Sequence, residues 1–106
     1  MRTNSASLSA PAAAADRDIV IEHAVDDVRV RALGVRRWPI YASAPDAFEH
    51  VFGDRETCYV IEGEAHVTPA GGETFVFRQG DLATFPRGTR VYWDMPVRFR
   101  KHYRFG

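Results

Sequence analysis

The sequence is short of several things, and each shortage excludes a class of protein. It has a single cysteine, Cys58, among 106 residues, so no disulfide can form within the chain and a disulfide-stapled secreted scaffold is excluded. A reducing, cytoplasmic location is the expectation that follows. It has no surplus of either charge: 14 lysines and arginines face 14 aspartates and glutamates, for a formal net charge of zero. A dedicated nucleic-acid or membrane-surface binder would carry a basic excess, so neither partner is expected. No apolar run approaches the length of a membrane span, and no internal repeat is visible. Lysine is nearly absent too. Lys101 is the only one, beside thirteen arginines.

What remains is enough for one domain. Hydrophobic residues make up 45% of the chain, which suits a globular core and argues against wholesale disorder. At this length a modest single core forms without staples or a structural metal. Met1 to Ala15 carries Arg2 and an alanine run, but Ser5, Ser7, Ser9 and Pro11 interrupt it and it lacks the leucine-rich centre of a signal peptide. The pattern predicts a disordered polar tail over residues 1–17 and one domain over 18–106.

Within that domain Ile19–Ile21 reads as a short strand. Asp26 to Leu33, stopping at Gly34, reads as a short helix with a glycine end signal. From about residue 47 short β-branched and aromatic runs recur between turn signals at Gly53-Asp54, Gly71-Gly72, Gly80-Asp81 and Pro86-Arg87-Gly88. They predict strands at 47–52, 56–62, 64–68, 74–79, 82–85, 89–94 and 97–105. Regular short strands with glycine punctuation and no helix between them give an all-β, antiparallel sandwich or barrel.

The last predicted strand is the most informative. Alternation puts Val97, Phe99, Lys101, Tyr103 and Phe105 on one face and Arg98, Arg100, His102 and Arg104 on the other. The first face is a core face that holds one cation.

Two segments carry a family resemblance. Glu56-Thr-Cys-Tyr-Val-Ile-Glu-Gly63 is a glutamate, six residues and a glycine; Gly80-Asp-Leu-Ala-Thr-Phe-Pro86-Arg-Gly88 is a glycine, five residues and proline-x-glycine. The glycines permit tight strand reversals and Pro86 stiffens the last of them. In order, with one hairpin between them, the two segments resemble the paired motifs of the cupin superfamily. Trp38-Pro39-Ile40, Glu56 to Glu64, Gly80-Asp81-Leu82, Thr84-Phe85-Pro86, Trp93 and Val97-Arg98-Arg100-Lys101-His102-Tyr103 are similar to the small cupins grouped with ureidoglycine aminohydrolase. This resemblance covers about residues 35–105. It implies a cupin-type jelly-roll barrel (the double-stranded β-helix) and a homodimer, but fixes no reaction.

The resemblance also implies what a metal-bearing cupin needs: a His-x-His pair before the glutamate and a histidine three places beyond the proline-x-glycine, giving a site for manganese, iron or nickel. Here the downstream position is Val91. The upstream pair falls on Glu49 and Val51, or on His50 and Phe52. Glu56 survives, joined at most by His50, so no metal or other cofactor is expected. The glutamate, two histidines and glutamine of the ureidoglycine aminohydrolases are not reproduced either.

A candidate ligand pocket follows from parity and motif: Glu56, Cys58, Trp93, Lys101 and Tyr103, with His50 at the rim. A buried carboxylate and a buried ammonium each need a partner, and Glu56 and Lys101 are natural partners for each other. The plain structural alternatives are a hydrogen-bond hub for Glu56 and a lysine snorkelling from the barrel mouth for Lys101. Cys58 reads as an inert core thiol before a nucleophile. His102 belongs on the arginine face, His66 on a solvated strand and His23 in a loop. Trp38 reads as a staple or dimer contact, and the arginine row as a solvated face or an anion binder.

Three functions fit these residues. The first is a metal-free cupin that binds a small polar molecule, with Glu56 and Lys101 as the acid–base pair if it is also a weak enzyme. The second is a metal-dependent hydrolase or isomerase of the ureidoglycine aminohydrolase type, with ligands drawn from His50 and His102. The third is a non-enzymatic dimeric sensor or interaction module.

Overall fold

The computed structural model describes residues 19–106, so the tail expected over residues 1–17 lies outside the described residues. In chain order come β1 (Val20–Glu22), α1 (Asp27–Leu33), a 3-10 turn (Val35–Arg37), β2 (Ile40–Ser43), β3 (Asp46–Val51), β4 (Glu56–Glu62), β5 (Glu64–Pro69), β6 (Phe75–Arg78), β7 (Leu82–Phe85), β8 (Arg90–Met95) and β9 (Phe99–Phe105). The strands form a five-stranded sheet of order β1-β7-β4-β9-β2 and a four-stranded sheet of order β3-β8-β5-β6. Every pairing is antiparallel. This is the all-β jelly roll.

The elements form where local chemistry dictates. Asp26 caps α1 by accepting a hydrogen bond from the Arg29 amide at 2.9 Å. Gly34, at φ +71°, ends it in the left-handed conformation, and its N–H returns to the Arg31 carbonyl. The Arg29 guanidinium then ties the helix to β1 through Glu22, at 3.1 and 2.9 Å. Gly63, which turns β4 into β5, is required twice over. Its φ is +82°, and a Cβ there would lie 2.1 Å from the carbonyl oxygen of Arg98.

Two sequence expectations change. The last strand starts at Phe99, not Val97, because Pro96 to Arg98 make the turn from β8; Val97 is 49% exposed and off the core face. Strand β2, which the sequence did not announce, lies between Pro39 and Pro45 and pairs with β9, Lys101 opposite Tyr41.

The core sits between the two sheets. Cys58 and Val60 of β4, Phe85 of β7 and Phe99 of β9 meet Phe77, Val91, Trp93 and Met95 from the other sheet. Phe52 stacks on Phe85 with ring centres 4.6 Å apart, and Trp93 meets Phe77 edge-on at 5.6 Å. Such pairs add about 0.5–1.5 kcal/mol each beyond simple burial. Beside this core lies a cavity lined from both sheets.

Candidate functional site

The cavity is built by period-two alternation on strands from both sheets. Strand β3 sends Phe48 and His50 inward, followed by Phe52 just beyond its end, and leaves Glu49 and Val51 exposed. That settles the upstream pair in favour of His50 and Phe52. Strand β4 contributes Glu56, β8 contributes Trp93, β2 contributes Tyr41, and β9 contributes Lys101, Tyr103 and Phe105. Together these residues line an open-mouthed cavity of about 330 Å³.

Five of the six pocket residues expected from sequence therefore share one cavity: His50, Glu56, Trp93, Lys101 and Tyr103. Cys58 does not. It is fully buried in the packed core and forms no part of the wall. Sequence reasoning missed Tyr41, Phe48, Phe52 and Phe105 as lining residues. Phe48 and Phe52 share parity with His50, and Phe105 shares parity with Lys101, so for these three the signal was present. Tyr41 had none, since its strand was unrecognised.

The centre of the site is an ion pair. The Lys101 ammonium donates to Glu56 Oε2 at 2.7 Å, and the two residues are only 8% and 6% exposed. Antiparallel register puts Lys101 opposite Val60, Tyr103 opposite Cys58 and Phe105 opposite Glu56. The lysine thus reaches along the strand, past Cys58, to meet the carboxylate. Strand β4 carries an extra residue at Ile61, between the partners of Arg100 and Lys101, a bulge of the kind that re-aims side chains. The ammonium also lies 4.6 Å from the centre of the Trp93 ring and 5.5 Å from that of Tyr41. Both are within reach of a cation–π attraction.

The electrostatics follow from this crowding. Burial alone would lower the Lys101 pKa, but Cys58, Glu56 and Tyr41 around it outweigh burial and hold it above the ordinary lysine value. Lys101 is therefore a fixed cation and no amine nucleophile. Burial pushes the Cys58 thiol up to about 11, although the Lys101 charge opposes the shift. That makes it inert. Burial also lowers His50, with Lys101 adding to the effect and Glu56 opposing it, so its imidazole is neutral at pH 7. His50 packs edge-on against Phe52 at 4.5 Å and has no hydrogen-bond partner among the described residues.

The remaining histidines stand elsewhere. His102 donates from Nδ1 to the Trp38 carbonyl at 2.9 Å on the far face of β9. His23 pairs with Asp81, and His66 with Glu64. His50 and His102 therefore do not converge, which removes the ligand set that a metal site would have drawn from them. Val91 is buried where a metal-bearing cupin presents its downstream histidine, Phe52 is apolar, and the Glu56 carboxylate is engaged by Lys101. Among the described residues no three His, Cys, Asp or Glu side chains gather to hold an ion. The donor set does not fit the cupin metal.

The arginine row is engaged as well. Arg98 and Arg100 both turn to Glu62, at 3.7 and 3.1 Å, and Arg104 lies over the Trp38 ring at 4.8 Å. Trp38 is thus held by its own chain.

This architecture has clear relatives. A family model for the EutQ-like cupin domain matches residues 30–103. The chain belongs to the EutQ-like cupins. It is 35% identical to a DUF861 family protein from Thermotoga maritima, whose crystal structure superposes with a TM-score of 0.80 over 84% of this chain and 100% of that one. It is 28% identical to a putative ethanolamine utilization protein Q from Salmonella typhimurium LT2, over 60% of this chain and 51% of that, with a TM-score of 0.55. The Clostridium difficile EutQ protein, at 22% identity and a TM-score of 0.56, shares the fold over 60% of this chain and 50% of its own. This chain spans about half the length of those two EutQ proteins. No curated protein matches it. The family model and the Thermotoga maritima relative show a cupin of the EutQ and DUF861 type. No helix among the described residues is long and apolar enough to cross a membrane.

Proposed function

We propose that this EutQ-like cupin binds a small polar molecule in its barrel, without the usual cupin metal, and orients it with Lys101 and Glu56. The observation that carries the reading is the 2.7 Å ion pair set in the wall of an aromatic-lined cavity of about 330 Å³. Ligand sites are commonly apolar hollows of about 300–1,000 Å³ with a few convergent polar groups. A buried ion pair is weak evidence for stability, because desolvation offsets most of its attraction. Its position on a cavity wall supports a binding role. Any chemistry would be acid–base work, with protonated Lys101 as the acid and Glu56 as the base.

A metal-dependent hydrolase or isomerase of the ureidoglycine aminohydrolase type is the weaker reading, since buried Val91 and the separation of His50 from His102 deny it ligands. A sensor whose surface matters more than its barrel leaves the lined cavity without a use. The lone buried thiol supports a cytoplasmic setting. The edge strand β2, with Ile40 52% exposed, supports pairing of two copies.

The test is a thermal-shift screen against small acids, amines and ureido compounds, because a ligand that binds only the folded state raises Tm. A compound that raises Tm for the natural chain and not for Lys101→Met is expected. A flat screen, or an equal shift in the variant, would refute the reading.

A further inference from the structure

Resting on that reading, we infer that the Lys101 ammonium stands in for the missing metal as the fixed cation of the barrel, and that the ligand group it receives is uncharged. The argument begins with the carboxylate. Glu56 occupies the motif position that supplies a metal ligand in other cupins, and here its Oε2 accepts from Lys101 Nζ at 2.7 Å. The surrounding positions that would complete a metal shell are apolar: Val91 is buried, and Phe52 packs against Phe85. Trp93, two residues along the same face from Val91, lies under the ammonium at 4.6 Å. Lysine therefore takes up the carboxylate, and aromatic faces complete its surroundings.

A lysine cation differs from a divalent metal in one way that decides the ligand. It carries a single charge, and Glu56 already balances it. The pair presents no net charge to the cavity, yet it has unsatisfied hydrogen-bonding capacity. An ammonium has three N–H donors and a carboxylate two acceptor oxygens, and one bond between them is present. Among the described residues Glu56 Oε1 has no partner, and it is not among the sealed unpaired atoms, so it is open to the cavity. The free N–H groups of Lys101 call for an acceptor, and Oε1 calls for a donor. A carboxylate ligand would meet Glu56, and an amine would meet Lys101; each suffers like-charge repulsion. An uncharged group with a carbonyl oxygen beside an N–H or O–H donor satisfies both at once. His50, the third polar group on the wall, is neutral at pH 7 and adds no charge.

Three probes of similar size separate the charges: benzamide, benzoate and benzylamine, which offer the same ring to the aromatic wall with a neutral, negative or positive head. Binding to the full chain is followed by the indole N–H resonance of Trp93. Trp38, outside the cavity, is the internal reference. Benzamide is expected to shift Trp93 at about tenfold lower concentration than benzoate or benzylamine. In Glu56→Gln, where the ammonium is uncompensated, benzoate is expected to overtake benzamide. Manganese(II) alone is expected to broaden Trp93 no more than Trp38. Tighter binding of benzoate or benzylamine by the natural chain would overturn the inference and leave the cavity's binding role standing. So would an unchanged order in Glu56→Gln, or selective broadening of Trp93 by manganese. A Trp93 resonance indifferent to all three probes would refute the binding role itself, and the inference with it.

Discussion

Lys101 stands across the β4–β9 ladder from Val60, yet its ammonium meets Glu56, four residues further along β4, at 2.7 Å. The stem of the lysine covers the level of Cys58 to get there. That placement balances Glu56 on the cavity wall and adds to the lowering that burial imposes on His50, while burial raises the Cys58 thiol against the pull of the ammonium. Each consequence can be measured.

Removing one partner of a buried pair strands the other. Lys101→Met is expected to lower stability by about 1–3 kcal/mol at pH 7, less than in a sealed core because Glu56 borders a cavity that water can enter. Lys101→Met with Glu56→Gln should recover most of it, since neither charge is left alone. Urea midpoints of the three chains check this. A double variant weaker than the single one would contradict it.

Cys58 makes an alkaline limb. Its thiol is raised from an ordinary 9.0 to about 11 in the folded chain. A raised group lends stability that is whole below the unfolded value and is lost as pH climbs through the folded one. Stability should therefore fall between about pH 9 and 11, by about 2–3 kcal/mol from this group. Lys101, raised above its ordinary value, adds to the same loss at higher pH. Cys58→Ala should flatten the first part of the limb. Native protein should also react with a thiol reagent only at its rate of opening.

His50 acts in the opposite direction. Its folded pKa is depressed, so its contribution is present above about 6.5 and is lost as pH falls through the folded value. A ring-proton titration by NMR should give a midpoint below 6.5. In Lys101→Met the midpoint should rise, because one depressing charge has gone and Glu56 still pulls upward. A midpoint unmoved by the substitution would separate His50 from the pair.

At the β4–β5 turn, Gly63→Ala places a Cβ against the Arg98 carbonyl at a backbone angle that alanine resists. A loss of about 2–4 kcal/mol is expected. The melting temperature reads it, and a neutral result would show that the turn can shift.

Most of the fold was legible because its signals are local. The cupin motif places Glu56 inward, alternation places Trp93 beside Val91 and Lys101 beside Phe99 and Tyr103, and Asp26 and Gly34 mark the ends of α1. The pairing of Lys101 with Glu56 followed from two charges assigned to one interior. Parity alone, however, does not separate a core residue from a wall residue. Cys58 and Glu56 share parity on β4, yet the first is sealed in the core and the second lines the cavity. Strand β2 was hidden because Ile40–Ser43 is short, lies between prolines and takes its strand character from β9. Tyr41 was lost with it. Val97 failed for the converse reason: it continues the alternation of β9, but Pro96 forces a turn there.

The central claim rests on one ammonium, and the chain has only one lysine. Labelling with 15N-lysine therefore gives a single Nζ resonance, with no assignment needed. A pair buried as described predicts a signal protected from rapid exchange with water, still protonated above pH 10.5, and displaced by Glu56→Gln. A freely exchanging Nζ signal, titrating as an ordinary lysine and unchanged by Glu56→Gln, would contradict it.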